Sequence, residues 1–351
     1  MSVNLDAIWR RGVKRGLIAG GLETAHVLSR LGLLRRARGR GAIFTLHHVR
    51  PFAPRTIDPN AHLEVTPDFL DLAIRRLKED GYDFVSLIDV PDRLRAPRER
   101  PFACFTLDDG YRNNAEHALP VFERHGVPFT IFINEGFADR THTIWWETLA
   151  EILNAESRVV FDFGAGDETI DLATETQKLD AFDRFALFIQ STDEAEAIDA
   201  LDALARRLGV EPLNITETLT MGRDELLRLV RHPLASFGAH TVSHRALKRL
   251  SDAEARREML RSANWLEALT GERPATLAYP YGTDSAVSER DRALAAELGF
   301  QVAVTTRPGT ICERFADHLT GLPRISLNGY YQVPRYVAAL ASGIPFALRA
   351  A

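Results

Sequence analysis

Two carboxylates stand side by side in Asp108-Asp109-Gly110, at the end of an apolar run, and far downstream His240 and His244 flank Thr241-Val242-Ser243 after another apolar run. Adjacent carboxylates repel unless a cation sits between or beside them. A divalent metal relieves that repulsion, with one Asp as ligand and the other left free as a base. Histidines four residues apart place both imidazoles on one face of a helix or tight turn, within reach of one ion. Neutral imidazole suits zinc and its neighbours. Two His and one carboxylate form a normal catalytic ligand set with an open position for water. Each piece alone also has a plainer reading. Asp-Gly is a common turn dipeptide, and the two histidines can be unrelated, one capping and one exposed. Tyr279-Pro280-Tyr281-Gly282 offers a rigid aromatic rim for a sugar ring, or only a strand-ending turn.

The elements around these residues follow a βα rhythm from residue 41 onward. Ala42–His47 reads as a strand, and Thr66-Pro67 as an N-cap with proline in the first turn of a helix closed by Gly81. Strands are expected at Phe84–Ile88, Phe102–Leu107, Pro128–Asn134, Leu234–Ala239, Ala275–Tyr279, Gln301–Thr305 and Pro323–Leu327. Helices are expected over 113–125, from Ser251-Asp252 to Thr270, and over 286–298. Seven or eight strands separated by helices argue for a parallel, closed or nearly closed α/β barrel. Chemistry in such barrels sits at the C-terminal ends of the strands, where His47, His48, Asp108, Asp109, His240 and Tyr281 all fall. Residues 139–222 break the rhythm. Trp145 and Trp146 open a stretch of acidic, Ala/Leu-rich sequence that reads as a helical insertion over or beside the barrel.

The 351 residues carry 45% hydrophobic and 26% charged side chains, a globular composition, and a net charge of −5 gives no reason to expect a nucleic-acid partner. The charge is uneven: residues 1–41 hold nine basic residues against Asp6 and Glu23, a net +7, and residues 151–199 hold thirteen acids against three bases, a net −10. Cys104 and Cys312 are too few for a disulfide framework, and Cys104 reads as a buried apolar residue. Residues 1–40 form a basic amphipathic helical segment ahead of a barrel over 41–351. Its basic flanks suggest peripheral contact with an anionic membrane through residues 5–38, against the alternative of a helix packed on the domain with solvated arginines. Glu23, His26 and Arg30 interrupt the apolar stretch, so no secretory signal is read, and a cytoplasmic location, at the inner face of the membrane, is expected.

Taken in order, Thr106-Leu107-Asp108-Asp109-Gly110-Tyr111, His240-Thr241-Val242-Ser243-His244 and Tyr279-Pro280-Tyr281-Gly282 resemble the polysaccharide deacetylases of the NodB-homology type, carbohydrate esterase family 4. The resemblance spans roughly residues 41–330 apart from much of 145–222. It implies a distorted (β/α)7–8 barrel and metal-dependent removal of acetyl groups, usually N-acetyl, from sugars. It further implies that Asp109, His240 and His244 hold the metal, with Zn2+ expected. Asp108 would then be the base, and the Tyr111 backbone N–H would help hold the oxyanion. Two departures stand out. The family's arginine, two residues before the proline, is replaced by Ala278, leaving Arg324 in Leu322-Pro323-Arg324 to supply a guanidinium from the last strand. The late Leu-x-His motif that supplies the acid is absent, with Ile325-Ser326-Leu327 near its place. A subgroup resembling the exopolysaccharide deacetylases instead puts a histidine on the first strand, which here makes His47 the acid.

The expected substrate is an acetylated glycan or lipid-linked sugar, with Trp145, Trp146, Tyr279, Pro280 and Tyr281 as binding residues. An open aromatic cleft favours a glycan; a closed small pocket favours a non-sugar amide. The missing arginine and late histidine also leave open a degenerate, non-catalytic glycan-binding protein.

Overall fold

The runs Gly41–Leu46 (β1) and Phe102–Leu107 (β2) contain no exposed residue, the signature of parallel strands covered on both faces. A computed structural model, which describes residues 5–97 and 100–347, shows what covers them. The remaining barrel strands are Phe129–Ile133 (β3), Ala235–Ala239 (β4), Thr276–Ala278 (β5), Val302–Pro308 (β6) and Leu322–Ser326 (β7). Neighbours pair in the order β1-β7-β6-β5-β4-β3-β2, all parallel. The register Gly41↔Phe102 through Leu46↔Leu107 joins β2 back to β1 and closes a ring of seven strands. A closed ring leaves no barrel edge unpaired. It also gathers every strand's C-terminal end on one rim.

Helices pack against the outside through one face. In Pro67–Glu79 the Thr66 side chain accepts from Phe69 N, proline occupies the first turn, and Phe69, Leu70, Ala73, Ile74 and Leu77 are buried. Asp252–Thr270 starts with a Ser251/Glu254 capping box and ends at Gly271 with φ 80°, a left-handed position that favours glycine. Phe105, Phe122 and Phe129 join barrel to helix through ring contacts at 5.4 and 4.5 Å. Cys104 lies fully buried in this wall.

Three expectations need correction. Phe84–Ile88 is not a barrel strand: only Asp83–Phe84 pairs, with the start of β2, before a 3-10 turn at Leu87–Asp89. The 113–125 helix is not regular. It passes through a π-type stretch, Asn114–Ala118, before the α-helical Leu119–His125, because Pro120 has no N–H to give to an unbroken ladder. The inserted segment is not all helical. After the helix Trp145–Ala155 comes an antiparallel hairpin, Arg158–Asp162 with Asp167–Asp171, whose first strand alternates exposed and buried. That period of two is legible in Arg-Val-Val-Phe-Asp, where Val159 and Phe161 point inward. The helices Glu175–Ser191 and Glu194–Arg207 follow. They close an apolar cluster of their own with Trp145, Trp146, Phe161, Phe185 and Leu201.

The N-terminal helix α1 (Leu5–Arg30) packs through Leu22 and Ala25 on Tyr336, Ala339 and Ile344 near the C-terminus. Arg335 and Tyr336 both donate to Glu23. Residues 1–4 of the expected basic segment lie outside the described residues. Among the described residues, no helix is long and apolar enough to cross a membrane.

Candidate active site

β2 hands over to Asp108, Asp109 and Gly110 at the barrel rim. Asp109 has φ 72°, Thr241 60°, His244 57° and Tyr281 58°. Side chains rarely adopt that left-handed region, and four of the six such non-glycine residues described gather here. The turns that aim these side chains are held against their local preference by the packing around them.

Asp109, His240 and His244 meet. One ligand atom from each lies within 4.8 Å of the others, and all three residues are buried. Asp109 Oδ1 is 3.3 Å from the Nε2 of each histidine. His240 Nδ1 lies 2.7 Å from the carbonyl oxygen of Ala278, so an Nδ1–H donated there turns the Nε2 lone pair toward Asp109. Glu258 anchors the intervening turn by accepting from Val242 N, Ser243 N and Ser243 Oγ at 2.8–2.9 Å. Asp109 Oδ1 is buried without a hydrogen-bond partner. Such an oxygen is costly unless something positive meets it. One carboxylate and two oriented imidazoles fit a divalent metal of the zinc type.

Asp108 is held differently. Arg324 donates to Oδ1 at 2.7 Å and to Oδ2 at 2.6 Å, a two-pronged clamp, with both partners buried. The guanidinium is itself fixed by Thr305 O and Thr106 Oγ1, each at 3.0 Å. Burial alone pushes Asp108 up, but the adjacent Arg324 outweighs it and holds the carboxyl below the usual carboxylate range. Arg324 thus brings a guanidinium to Asp108 from the last strand. His47 Nε2 is 3.8 Å from Asp108 Oδ2, at the end of β1. Burial pushes its imidazole down to about 4, against the pull of both aspartates, so it is neutral near pH 7.

These groups line a cleft of about 580 Å³. Trp145, Trp146 and Tyr281 are in its wall, as expected. They are only narrowly exposed, because Trp145 Nε1 donates to Tyr281 Oη at 2.9 Å, and Tyr281 Oη donates to Glu194 Oε1 at 2.7 Å. Tyr279 and Pro280 are corrections: neither lines the cleft. Tyr279 is fully buried in the barrel wall, with its hydroxyl on Thr320 O. A continuing strand would put both rings on one face, but β5 ends at Ala278 and Tyr281 takes a left-handed φ of 58°, which turns its ring away from the direction of Tyr279. The Tyr111 ring is also withdrawn, stacked on His48 at 3.6 Å with its hydroxyl accepting from Trp146. Thr45, His62, Gln190, Glu194 and Arg249 are also in the wall without having been singled out in the sequence. His62 comes from the 50–64 loop and Gln190 and Glu194 from the insertion, so no local pattern tied them to the rim.

A family model described as polysaccharide deacetylase matches residues 95–160 and 197–303. The chain belongs to the polysaccharide deacetylase family. It is accordingly a carbohydrate-deacetylating hydrolase. No curated protein sequence gives a significant match. Solved structures are similar in fold. IcaB from Ammonifex degensii is 15% identical with a TM-score of 0.54, covering 88% of this chain and 98% of that one. Deacetylase PplD from Streptococcus pyogenes, in complex with acetate, is 19% identical with a TM-score of 0.50, covering 82% and 92%. The polysaccharide deacetylase BC0361 from Bacillus cereus is 16% identical with a TM-score of 0.53, covering 85% and 68%. The family match skips residues 161–196. This deacetylase therefore builds part of its cleft wall, Phe182, Ala186, Gln190 and Glu194, from sequence outside the matched segments.

Proposed function

We propose that the protein is a metal-dependent N-deacetylase of an acetylated sugar, of the exopolysaccharide-deacetylase kind. The observation that carries this reading is a buried Asp108, clamped by Arg324, beside an Asp109-His240-His244 cluster whose carboxylate oxygen has no donor. A divalent metal bound there, Zn2+ by its donor set, supplies Lewis-acid activation of water and of the acetyl carbonyl.

The chain's own residues do the rest. Asp108 is the base. Arg324 occupies one lone pair on each oxygen, leaving another to take a proton from the attacking water. The Tyr111 amide helps hold the oxyanion. His47, neutral at rest, gains a proton during the reaction and delivers it to the leaving nitrogen, since an amine leaves poorly unless protonated. Its position beside Asp108 suits transfer between them through the substrate or one water.

The basic flank of α1 supports peripheral contact with an anionic membrane, which we propose is the inner face, as an addition to this reading. The test is acetate release from N-acetylhexosamine oligomers and from non-sugar acetamides. Loss with chelator, recovery with Zn2+ and preference for the sugars are expected. Chelator-insensitive release, or no preference for sugars, overturns the reading.

A further inference from the structure

Beside the cleft lies a second cavity, an apolar groove of about 420 Å³ between the barrel, α1 and the C-terminal helices. Its wall includes Leu17, Ile18, Leu327, Val337, Leu340 and Phe346. Pockets of roughly 300–1000 Å³ hold drug-sized ligands. This groove adjoins the active site through one shared wall residue. Ser326, the exposed last residue of β7, lines both groove and cleft. A second link runs along α1. Arg15 sits 3.7 Å over the Tyr330 ring, Tyr330 lies 6.3 Å from the His62 ring, and His62 lines the cleft. α1 therefore runs beside the mouth of the active site. At the groove, Leu17 is 72% exposed, and in the turn just past the end of α1 Leu31 is 69% exposed, flanked by Arg30, Arg35 and Arg36. An apolar stripe bordered by cations is suited to a lipid surface with anionic headgroups.

We propose that this groove holds the hydrocarbon tail of the substrate itself, an acetylated sugar carried on a lipid, while the sugar's acetamide occupies the cleft. The inference rests on the deacetylase reading above and names its substrate class. The occupant is a single linear amphiphile: an apolar slot and a polar catalytic cleft meet at one serine, so tail and sugar of one molecule reach both. Tail burial then adds to the binding of the acetamide at the metal and Asp108.

Two glycines of α1 give a clean test. A Cβ at Gly21, which lines the groove, and one at Gly20, which does not, each meet nothing within 4 Å. Replacing either inside a helix favours the helix, so neither variant is expected to unfold. Gly21→Trp fills the groove, and Gly20→Trp is the control. Acetate release is compared for decyl and methyl glycosides of one N-acetylhexosamine, below micelle concentrations, with decyl glycoside binding followed by calorimetry. Wild type and Gly20→Trp should favour the decyl glycoside in kcat/KM by at least about tenfold. Gly21→Trp should lose that preference and keep its rate on the methyl glycoside. Equal rates on both glycosides in wild type, or a preference surviving Gly21→Trp, overturn the proposal. So does decanol competing for the groove as strongly as the decyl glycoside, which makes the occupant a free lipid. If no glycoside releases acetate, calorimetry still decides. Tail-dependent binding lost in Gly21→Trp upholds the groove and removes the deacetylase reading; tail-independent binding removes the groove.

Discussion

Asp108 and Asp109 are neighbours in the chain with different partners, and the tasks proposed for them follow from those partners. Asp109 faces two imidazoles and keeps one buried oxygen without a donor, whereas both oxygens of Asp108 are occupied by Arg324. Asp108→Asn preserves the shape but not the base. It should keep the metal, measured by atomic absorption, while turnover falls about 10²–10⁴-fold; an active Asp108→Asn enzyme removes Asp108 from the proton path. His47 is tested by its leaving group. His47→Ala should slow N-acetyl hydrolysis by a similar factor, about 10²–10⁴, yet barely affect an activated aryl acetate, whose phenolate leaves without a proton. Equal losses on amide and ester mean that His47 holds structure rather than delivering a proton. Arg324 was a plausible guanidinium source in the sequence, but only its fork geometry, with Thr106 and Thr305 behind it, shows that it reaches Asp108.

At the scale of elements, the 50–64 loop is the least regular support of the cleft. Glu64 holds it by accepting from Arg50 and Arg55, and its strand pairs Glu64 with His48. Burial pushes Glu64 up, but the two arginines hold it down to about 2. A carboxylate with a depressed folded-state value stabilises the fold above its unfolded value, near 4.5, and that contribution is lost as pH falls toward 2. Glu64→Gln should therefore cost up to about 3 kcal/mol at pH 7, with the gap to wild type closing below pH 4.5 in urea titrations. A gap that stays constant down to pH 2 would falsify the clamp. Much of the element order was legible, because buried parallel strands read as apolar runs and capped helices carry their punctuation. The hairpin at Arg158–Asp171, the π-type turn before Pro120 and the loss of a strand after Phe84 were not. The strand after Phe84 is lost to what packs against it, while the alternation at 158–162 and Pro120 are local signals that fix neither an antiparallel partner nor a π-type turn by themselves.

For the molecule as a whole, charge and shape combine at α1. Its packed face holds the helix to the C-terminal segment through Leu22, Ala25 and the Glu23–Arg335 pair. Its outer face leaves Val27 exposed, and the turn that follows leaves Leu31 and Leu34 exposed beside Arg30, Arg35 and Arg36. Wild type should sediment with vesicles containing anionic lipid at low salt. Replacing Arg30, Arg35 and Arg36 together by Ala should weaken binding by about 1 kcal/mol per charge, and salt should weaken the wild type likewise. Binding to neutral vesicles as strong as to anionic ones removes the electrostatic part of the reading.

The sequence by itself determined the chemical types and their order: two adjacent carboxylates, two histidines four apart, and apolar runs that bring strand ends together. These are legible because strand and helix periods are local, and a parallel barrel gathers its strand ends on one rim. Tertiary structure alone decided which aspartate Arg324 clamps and that Tyr281 rather than Tyr279 faces the cleft. It also decided that burial pushes the His47 imidazole down, and that an apolar groove shares Ser326 with the site. Those outcomes depend on side-chain direction, desolvation and contacts between residues as far apart in the chain as Asp108 and Arg324, which no local pattern encodes.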